Sequence, residues 1–290
     1  MKQACIFSIQ RASFVDGPGI RTCIFFKGCN LHCIWCHNPE SRQQQAQLLY
    51  YANRCLDCGR CKAVCPYQVV REDYTVDPTH CKACGLCVKI CPGGAREICG
   101  KWMREDEVFS EILADKEYYG GEGGATFSGG ECLLQLPFLH DILRRCREKG
   151  IHTAIDTAGN VPFISLEQVQ EDTDLFLYDI KAVTPELHRH LTGVDNARIL
   201  ENYRRLYAKC AHKLWVRIPV IPECNMEDME QIVRFLAHFP PKMVELLPYH
   251  AMGVSKSLAL GEEPFRGCPP SAEEMTALRK KFQKEGVACI

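Results

Sequence analysis

Cys29, Cys33 and Cys36 stand at Cys-x3-Cys-x2-Cys spacing within the ten-residue run Gly28–His37. Thiolates are the soft ligands that iron–sulfur clusters take, and a triad this tight holds three irons of a 4Fe–4S cube. The fourth iron then lacks a protein ligand, so a small molecule can coordinate it. An open position of this kind is what separates catalytic from structural zinc sites. Zinc knuckles favour Cys-x2-Cys pairs and four ligands, which leaves zinc or chance as the weaker readings.

Eight more cysteines fall into two matching blocks, Cys55, Cys58, Cys61, Cys65 and Cys81, Cys84, Cys87, Cys91. Each block reads Cys-x2-Cys-x2-Cys-x3-Cys-Pro, and the period is 26 residues. This is the bacterial two-cluster ferredoxin pattern, in which the fourth cysteine of each block ligates the other block's cluster. One cluster is therefore expected on Cys55, Cys58, Cys61 and Cys91, the other on Cys81, Cys84, Cys87 and Cys65. Relay of low-potential electrons is the expected role, with docking or metal-dependent folding as rivals.

These groups take eleven of the chain's twenty cysteines. The other nine (Cys5, Cys23, Cys99, Cys132, Cys146, Cys210, Cys224, Cys268 and Cys289) are scattered, and most are expected to pack as small hydrophobes. An odd remainder also sits badly with a disulfide framework. A 290-residue chain buries a sizeable core, and its hydrophobic fraction of 46% and charged fraction of 24% are ordinary for a globular protein. A net charge of -1 gives no reason to expect nucleic acid or a membrane surface. The polar start is unlike a signal peptide and no long apolar run exists, so a cytoplasmic location is expected.

The elements around the cysteines alternate. Arg21–Lys27 reads as a buried strand, so the triad sits on the loop leaving its C-terminal end. After the cysteine-rich span, helix faces (Val108, Phe109, Ile112, Leu113; then Leu139, Ile142, Leu143, Cys146) alternate with strands at 124–127, 152–156, 175–179, 214–220 and 243–247. A helix lies near 166–171, helical material runs from 185 to 211, and Asn225 is placed to cap the helix carrying Met229, Ile232, Val233, Leu236 and Phe239. A terminal helix covers 271–285. Six strand–helix units suggest an incomplete barrel, with a doubly wound open sheet as the competing α/β fold.

The triad and its flanks resemble the radical S-adenosylmethionine (SAM) superfamily. The longer run from Asp16-Gly-Pro-Gly-Ile-Arg through Cys36-His-Asn-Pro-Glu-Ser41 more narrowly resembles the glycyl-radical-enzyme activating enzymes. That resemblance implies an open (β/α)6 barrel with a ferredoxin-like insert, divided as 1–44, 45–103 and 104–290. It implies an oxidoreductase that cleaves SAM to methionine and a 5′-deoxyadenosyl radical, which takes a hydrogen atom from a glycine of a partner enzyme. The implied cofactors are three 4Fe–4S clusters, SAM, and a monovalent cation beside Asp156, Thr157 and Asp179. A flavodoxin or ferredoxin is the implied donor, the partner is a glycyl radical enzyme, and the chain is expected to be a monomer. The insert fits activators of decarboxylases, dehydratases and choline lyase better than the pyruvate formate-lyase activator.

The same resemblance assigns the site. Gly129, Gly130 and Glu131 correspond to the segment that holds the methionyl amino group, and Cys132 departs from the family's proline. Asp179, Ile180 and Lys181 correspond to the wall of the cosubstrate site; a rim salt bridge is the plainer reading of that pair. Arg217 is a lone charge in an apolar strand, which needs a ligand or carboxylate. His250 matches an adenine-contacting histidine, Trp35 and His37 flank the third thiol, and Asp16 matches the region meeting the partner's glycine loop. An enlarged ferredoxin and a different radical enzyme are the alternatives. The first leaves Ser128–Glu131 and Asp179–Lys181 unexplained, and the second usually carries extra clusters C-terminally.

Overall fold

The computed structural model describes residues 2–290. Strands β1 (Gln3–Ser13) and β2 (Arg21–Phe26) pair antiparallel, joined by the loop that contains Asp16. The chain then leaves the main sheet for β3 (Gln47–Tyr50), α1 (Arg60–Val64), α2 (Leu86–Lys89) and β4 (Arg96–Cys99). Strand β5 (Lys101–Arg104) pairs with β1, so the main sheet resumes inside the expected 45–103 span. The remainder alternates: α3 (Glu105–Ala114), β6 (Gly124–Gly129), α4 (Leu136–Glu148), β7 (His152–Thr157), α5 (Phe163–Val169) and β8 (Leu175–Asp179). Next come α6 (Pro185–Thr192), α7 (Ala197–Cys210), β9 (Leu214–Val220), α8 (Pro222–Asn225), α9 (Met229–His238) and β10 (Met243–Pro248), then α10 (Val254–Ala259) and α11 (Ala272–Lys284).

The sheet order is β10-β9-β8-β7-β6-β2-β1-β5. Its six parallel strands lie side by side in chain order, without the reversal that defines a doubly wound sheet. That order is the winding of a barrel left open. Arg217 on β9 donates to the carbonyl of Val15 in the β1–β2 loop at 3.3 Å, so the sheet curls back on itself.

Side chains alternate across each strand, and the two faces differ. The helix side carries the main core, including Phe127, Ile155, Phe176, Tyr178, Val216, Ile218 and Val244, under Leu139, Ile142, Leu166, Tyr203 and Ile232. Phe26 meets Phe138 edge-on with ring centroids 6.0 Å apart. Burying a ring of this kind stabilises by about 1.5–3 kcal/mol, and truncating Phe127 to alanine would cost about 3–5 kcal/mol. The inner face is apolar near the strand starts, at Ala154, Leu175, Leu177 and Trp215. Two residues further along the same strands it becomes Asp156, Asp179 and Arg217. Catalytic residues are built at this C-terminal end of a barrel.

The cysteine-rich span repeats in its backbone as it does in its sequence. Asp57 and Ala83 have φ of 51° and 48°, and Gly59 and Gly85 of 69° and 78°, each pair 26 residues apart and just before α1 and α2. Strands β3 and β4 form an antiparallel ribbon, of which Leu49 and Cys99 pack against Ala259 of α10.

Three local expectations change. Asn225 does not cap α9; its buried amide donates to the carbonyls of Lys181 and Pro219 and accepts from Ile221 N. Tying two strand ends satisfies it more fully than a solvent-facing cap would. Leu113 is exposed, because α3 ends at Ala114 and its apolar face is completed by Val108, Phe109 and Ile112. The helical stretch 185–211 breaks at Gly193, which has φ of 79°. Among the described residues no helix is long and apolar enough to cross a membrane.

Candidate active site

The triad loop leaves β2 and is pinned along its length. Gly28 N donates to Ser41 O (2.6 Å), Cys29 N to Arg42 O (3.0 Å), His32 N to Thr192 O (2.8 Å) and Ile34 N to Leu191 O (3.0 Å). The last two anchors are the C-terminal turn of α6. Cys33 is buried, and Cys29 and Cys36 are partly so. Burial pushes the Cys29 thiol up to about 12 and Cys33 to about 11, while Lys181 and Arg42 pull against it at Cys33. Arg42 donates to Cys33 O at 2.9 Å and pairs with Glu262 at 2.6 Å. Two cations beside buried thiols suit a cluster whose thiolates need compensation. Among the described residues no three His, Cys, Asp or Glu side chains converge as the ligands of one ion do. A cube meets each thiolate at a different iron.

Ser128–Glu131 closes against this loop. Gly130 N donates to Phe26 O (2.8 Å) and Glu131 N to Gly28 O (2.7 Å). A Cβ on Gly130 would stand 2.2 Å from Gly28 O, so only glycine lets β6 meet the triad loop so closely. The Glu131 side chain already has partners within the chain. It is buried and accepts from Thr157 Oγ1 at 2.8 Å on both oxygens, and from Ala158 N at 3.2 Å and Leu133 N at 3.3 Å. Burial raises its pKa to about 7 against these donors. Cys132 is buried, its thiol pointing to Phe127 O, a packing residue.

Across the inner face the charged groups form one layer. Lys181 Nζ pairs with Asp179 at 2.8 Å, and Ser128 Oγ donates to Asp156 at 2.6 Å. Arg217 lies 3.4 Å from Asp156 and 3.3 Å from Glu245, with which it is in register on β10. Arg217 thus finds the carboxylates its lone position required. Burial and then neighbouring Asp179 raise Asp156, to about 6 overall, although Arg217 lowers it. Ile180, by contrast, is buried at 1% exposure. Asp16 accepts from Ser13 Oγ at 2.5 Å and from the Cys23 thiol at 3.2 Å.

At the rim, His37 and His250 pack edge-to-face with centroids 4.3 Å apart. Their rings therefore share one place, and Trp35 is partly buried two residues before His37. Glu245 and Arg42 join the site through the fold. Glu245 carried a signal, being a lone charge in an apolar strand like Arg217. Arg42 carried none, since nothing local ties it to Cys33.

The eight remaining cysteines line two cavities. One is bordered by Cys65, Cys81, Cys84 and Cys87, with Leu48 and Ile98 of the ribbon. The other is bordered by Cys55, Cys58, Cys61 and Cys91. The grouping crosses the two blocks, with four thiols at each space, and this donor set fits one cube apiece.

The Radical SAM superfamily model matches residues 23–236. The indoleacetate decarboxylase activating enzyme of Tractidigestivibacter scatoligenes is 38% identical over 99% of this chain and 97% of its own length. The trans-4-hydroxy-L-proline dehydratase activating enzyme of Clostridioides difficile is 38% identical over 96% of this chain and 95% of its own. A crystal structure of a domain of pyruvate-formate lyase-activating enzyme from Bacteroides vulgatus superposes with a TM-score of 0.50 at 31% identity, covering 58% of this chain and 98% of that one. With the triad, the open parallel sheet and the charged inner layer in place, the chain belongs to the radical SAM superfamily and, within it, to the activating enzymes of glycyl radical enzymes.

Proposed function

We propose that this chain installs the radical of a partner glycyl radical enzyme from a site built on Cys29, Cys33 and Cys36. The observation that carries this reading is a pinned three-thiol loop beside the half-buried Lys181–Asp179 pair at the C-terminal end of the sheet. When bound, the cluster and SAM supply the chemistry, one electron giving methionine and a 5′-deoxyadenosyl radical that takes the partner glycine's hydrogen atom. The chain's own residues bind, orient and shield. Lys181 offers its ammonium to the methionyl carboxylate, and the Gly129–Gly130 backbone faces the amino end. His37, His250 and Trp35 border the adenine position. Ala154, Leu175, Leu177 and Trp215 keep water from below. Asp16, Asp156, Asp179 and Glu245 outnumber Arg217 and Lys181, an excess of negative charge that supports a monovalent cation near Asp156 and Thr157.

We also assign residues 45–100, the span that ends where β5 rejoins the main sheet, to a ferredoxin-like insert with two further 4Fe–4S clusters, supported by the two four-thiol cavities. The insert relays electrons from a flavodoxin or ferredoxin, and the protein works in the cytoplasm as a monomer. The test is a panel: indoleacetate decarboxylase, trans-4-hydroxy-L-proline dehydratase, isethionate sulfite-lyase and choline trimethylamine-lyase, each mixed anaerobically with reconstituted enzyme, SAM and reduced flavodoxin. A glycyl radical signal in electron paramagnetic resonance supports the reading. Methionine formed with no protein radical on any member would favour a radical enzyme acting on another substrate.

A further inference from the structure

We propose that Arg96 is the buried counter-ion of the cube on Cys55, Cys58, Cys61 and Cys91, and that it makes the two insert cubes unequal, this one being the easier to reduce. The inference rests on the two-cluster insert assigned above. Arg96 opens β4 and is 3% exposed. Its guanidinium lies 4.8 Å from the centre of the Tyr50 ring and donates from Nη2 to Tyr74 O, while Nη1 is buried with no partner. Among the described residues no carboxylate forms an ion pair with it. A guanidinium in this state is costly and calls for an anion that the polypeptide itself does not supply. Arg96 borders the cavity of Cys55, Cys58, Cys61 and Cys91, where a cube on four thiolates brings that negative charge.

The repeat breaks its own symmetry at this position. Val70 stands 26 residues earlier, at the same place after its block's last cysteine, and it borders the other cavity. The ribbon carries the same contrast. Leu48 pairs with Ile98 and Tyr50 with Arg96, two residues along the same face. The first pair covers the cavity of Cys65, Cys81, Cys84 and Cys87 with hydrocarbon, and Arg96 of the second brings a charge to the other. Each cavity also has one basic residue at its edge, Lys82 or Arg60, but both are exposed and screened by water. Burial raises the Cys87 thiol and the Arg96 charge works against it, so the second cube feels this charge without bordering the residue. Reduction adds negative charge to a cube, and a fixed buried cation beside it favours the reduced form. An electron entering the insert therefore settles first on the cube that Arg96 borders.

The test is a potentiometric titration of the reconstituted full-length chain, followed by electron paramagnetic resonance, on wild type, Arg96→Met, Arg96→Lys and Arg60→Met. Wild type should bind about twelve irons and show two insert steps, of which Cys84→Ser retains the higher. In Arg96→Met that higher step should fall by about tenfold in its reduced-to-oxidised balance, about 59 mV for one electron. The lower step should move less, the Cys29–Cys36 cube should not move, and iron should stay at the wild-type level. Arg96→Lys keeps the charge and should fall by no more than about threefold, and the exposed-site variant Arg60→Met by no more than about twofold. Unchanged steps in Arg96→Met at full iron content overturn the proposal. So do an equal shift of both insert cubes and a Cys84→Ser protein that retains only the lower step. If Arg96→Met releases about four irons, Arg96→Lys decides: full iron there supports the counter-ion, and the same loss reduces Arg96 to a packing role and overturns it. Wild type that holds only about four irons would instead remove the two-cluster reading on which the proposal stands.

Discussion

Lys181 Nζ lies 2.8 Å from Asp179 Oδ2 where β8 ends, and its charge also bears on the Cys33 thiol. The pair is largely screened from water, so each charge depends on the other. Asp179→Asn or Lys181→Met alone should destabilise the protein by about 1–3 kcal/mol, because one half-buried charge is left without its partner. The double substitution should cost less than either single one. In all three, iron bound at the triad should stay at the wild-type level while SAM binding weakens about tenfold or more by calorimetry. Lost iron in the double variant would mean that the pair holds the triad loop instead.

The Glu131 carboxyl predicts an unusual pH dependence. Burial raises it to about 7 in the folded chain, well above its ordinary value of 4.5, so folding takes up a proton between those limits. Stability from this group is therefore full below about pH 4.5 and falls as pH rises through about 7, by roughly 3 kcal/mol in all. Asp156, raised to about 6, adds a smaller loss of the same sign. Glu131→Gln keeps the shape and should flatten melting temperature against pH across this window in metal-free protein. An equally steep profile in the variant would place the dependence elsewhere.

The triad accounts for one cube. Reconstituted wild type should hold about twelve irons per chain, and the triple variant Cys29→Ala, Cys33→Ala, Cys36→Ala about eight. Methionine formation from SAM should vanish in that variant. Cleavage that survives would take the catalytic cluster away from these residues.

Much of this site is legible in the residues because its signals are local. Spacing alone marks the three cysteine groups, and Arg217 announces itself as a charge among Val216, Ile218 and Pro219. Strands at Leu175–Asp179 and Leu214–Val220 fall where the apolar runs place them. The parts that escape the sequence depend on contacts far along the chain. Arg42 is recruited to Cys33 by the turn at Pro39–Ser41, and Asn225 abandons capping because the distant carbonyl of Lys181 and the nearer one of Pro219 lie within reach. Glu131 is the sharpest case. Its position in Ser-Gly-Gly-Glu is visible, but Thr157 and Ala158, brought in by β7, decide which way the carboxylate faces.

The fourth cysteine of each block separates crossed from block-local ligation. Cys91 lines the cavity of Cys55, Cys58 and Cys61, and Cys65 that of Cys81, Cys84 and Cys87. If each cavity holds one cube, removing any ligand of a cube should release about four irons, and a second loss from the same cube should release no more. Cys91→Ser combined with Cys58→Ser should therefore match either single variant. Cys91→Ser combined with Cys84→Ser should lose about eight irons, because the two thiols serve different cubes. Block-local ligation reverses the outcome, since Cys91 and Cys84 would then share a cube. Iron and sulfide counts on the four variants, with the Cys29–Cys36 cluster as an internal constant, decide between them. The same variants test the relay: flavodoxin-driven activation should slow, while a single turnover after chemical reduction of the triad cluster should survive. Unchanged flavodoxin-driven rates in a folded variant lacking both insert cubes would end the relay assignment.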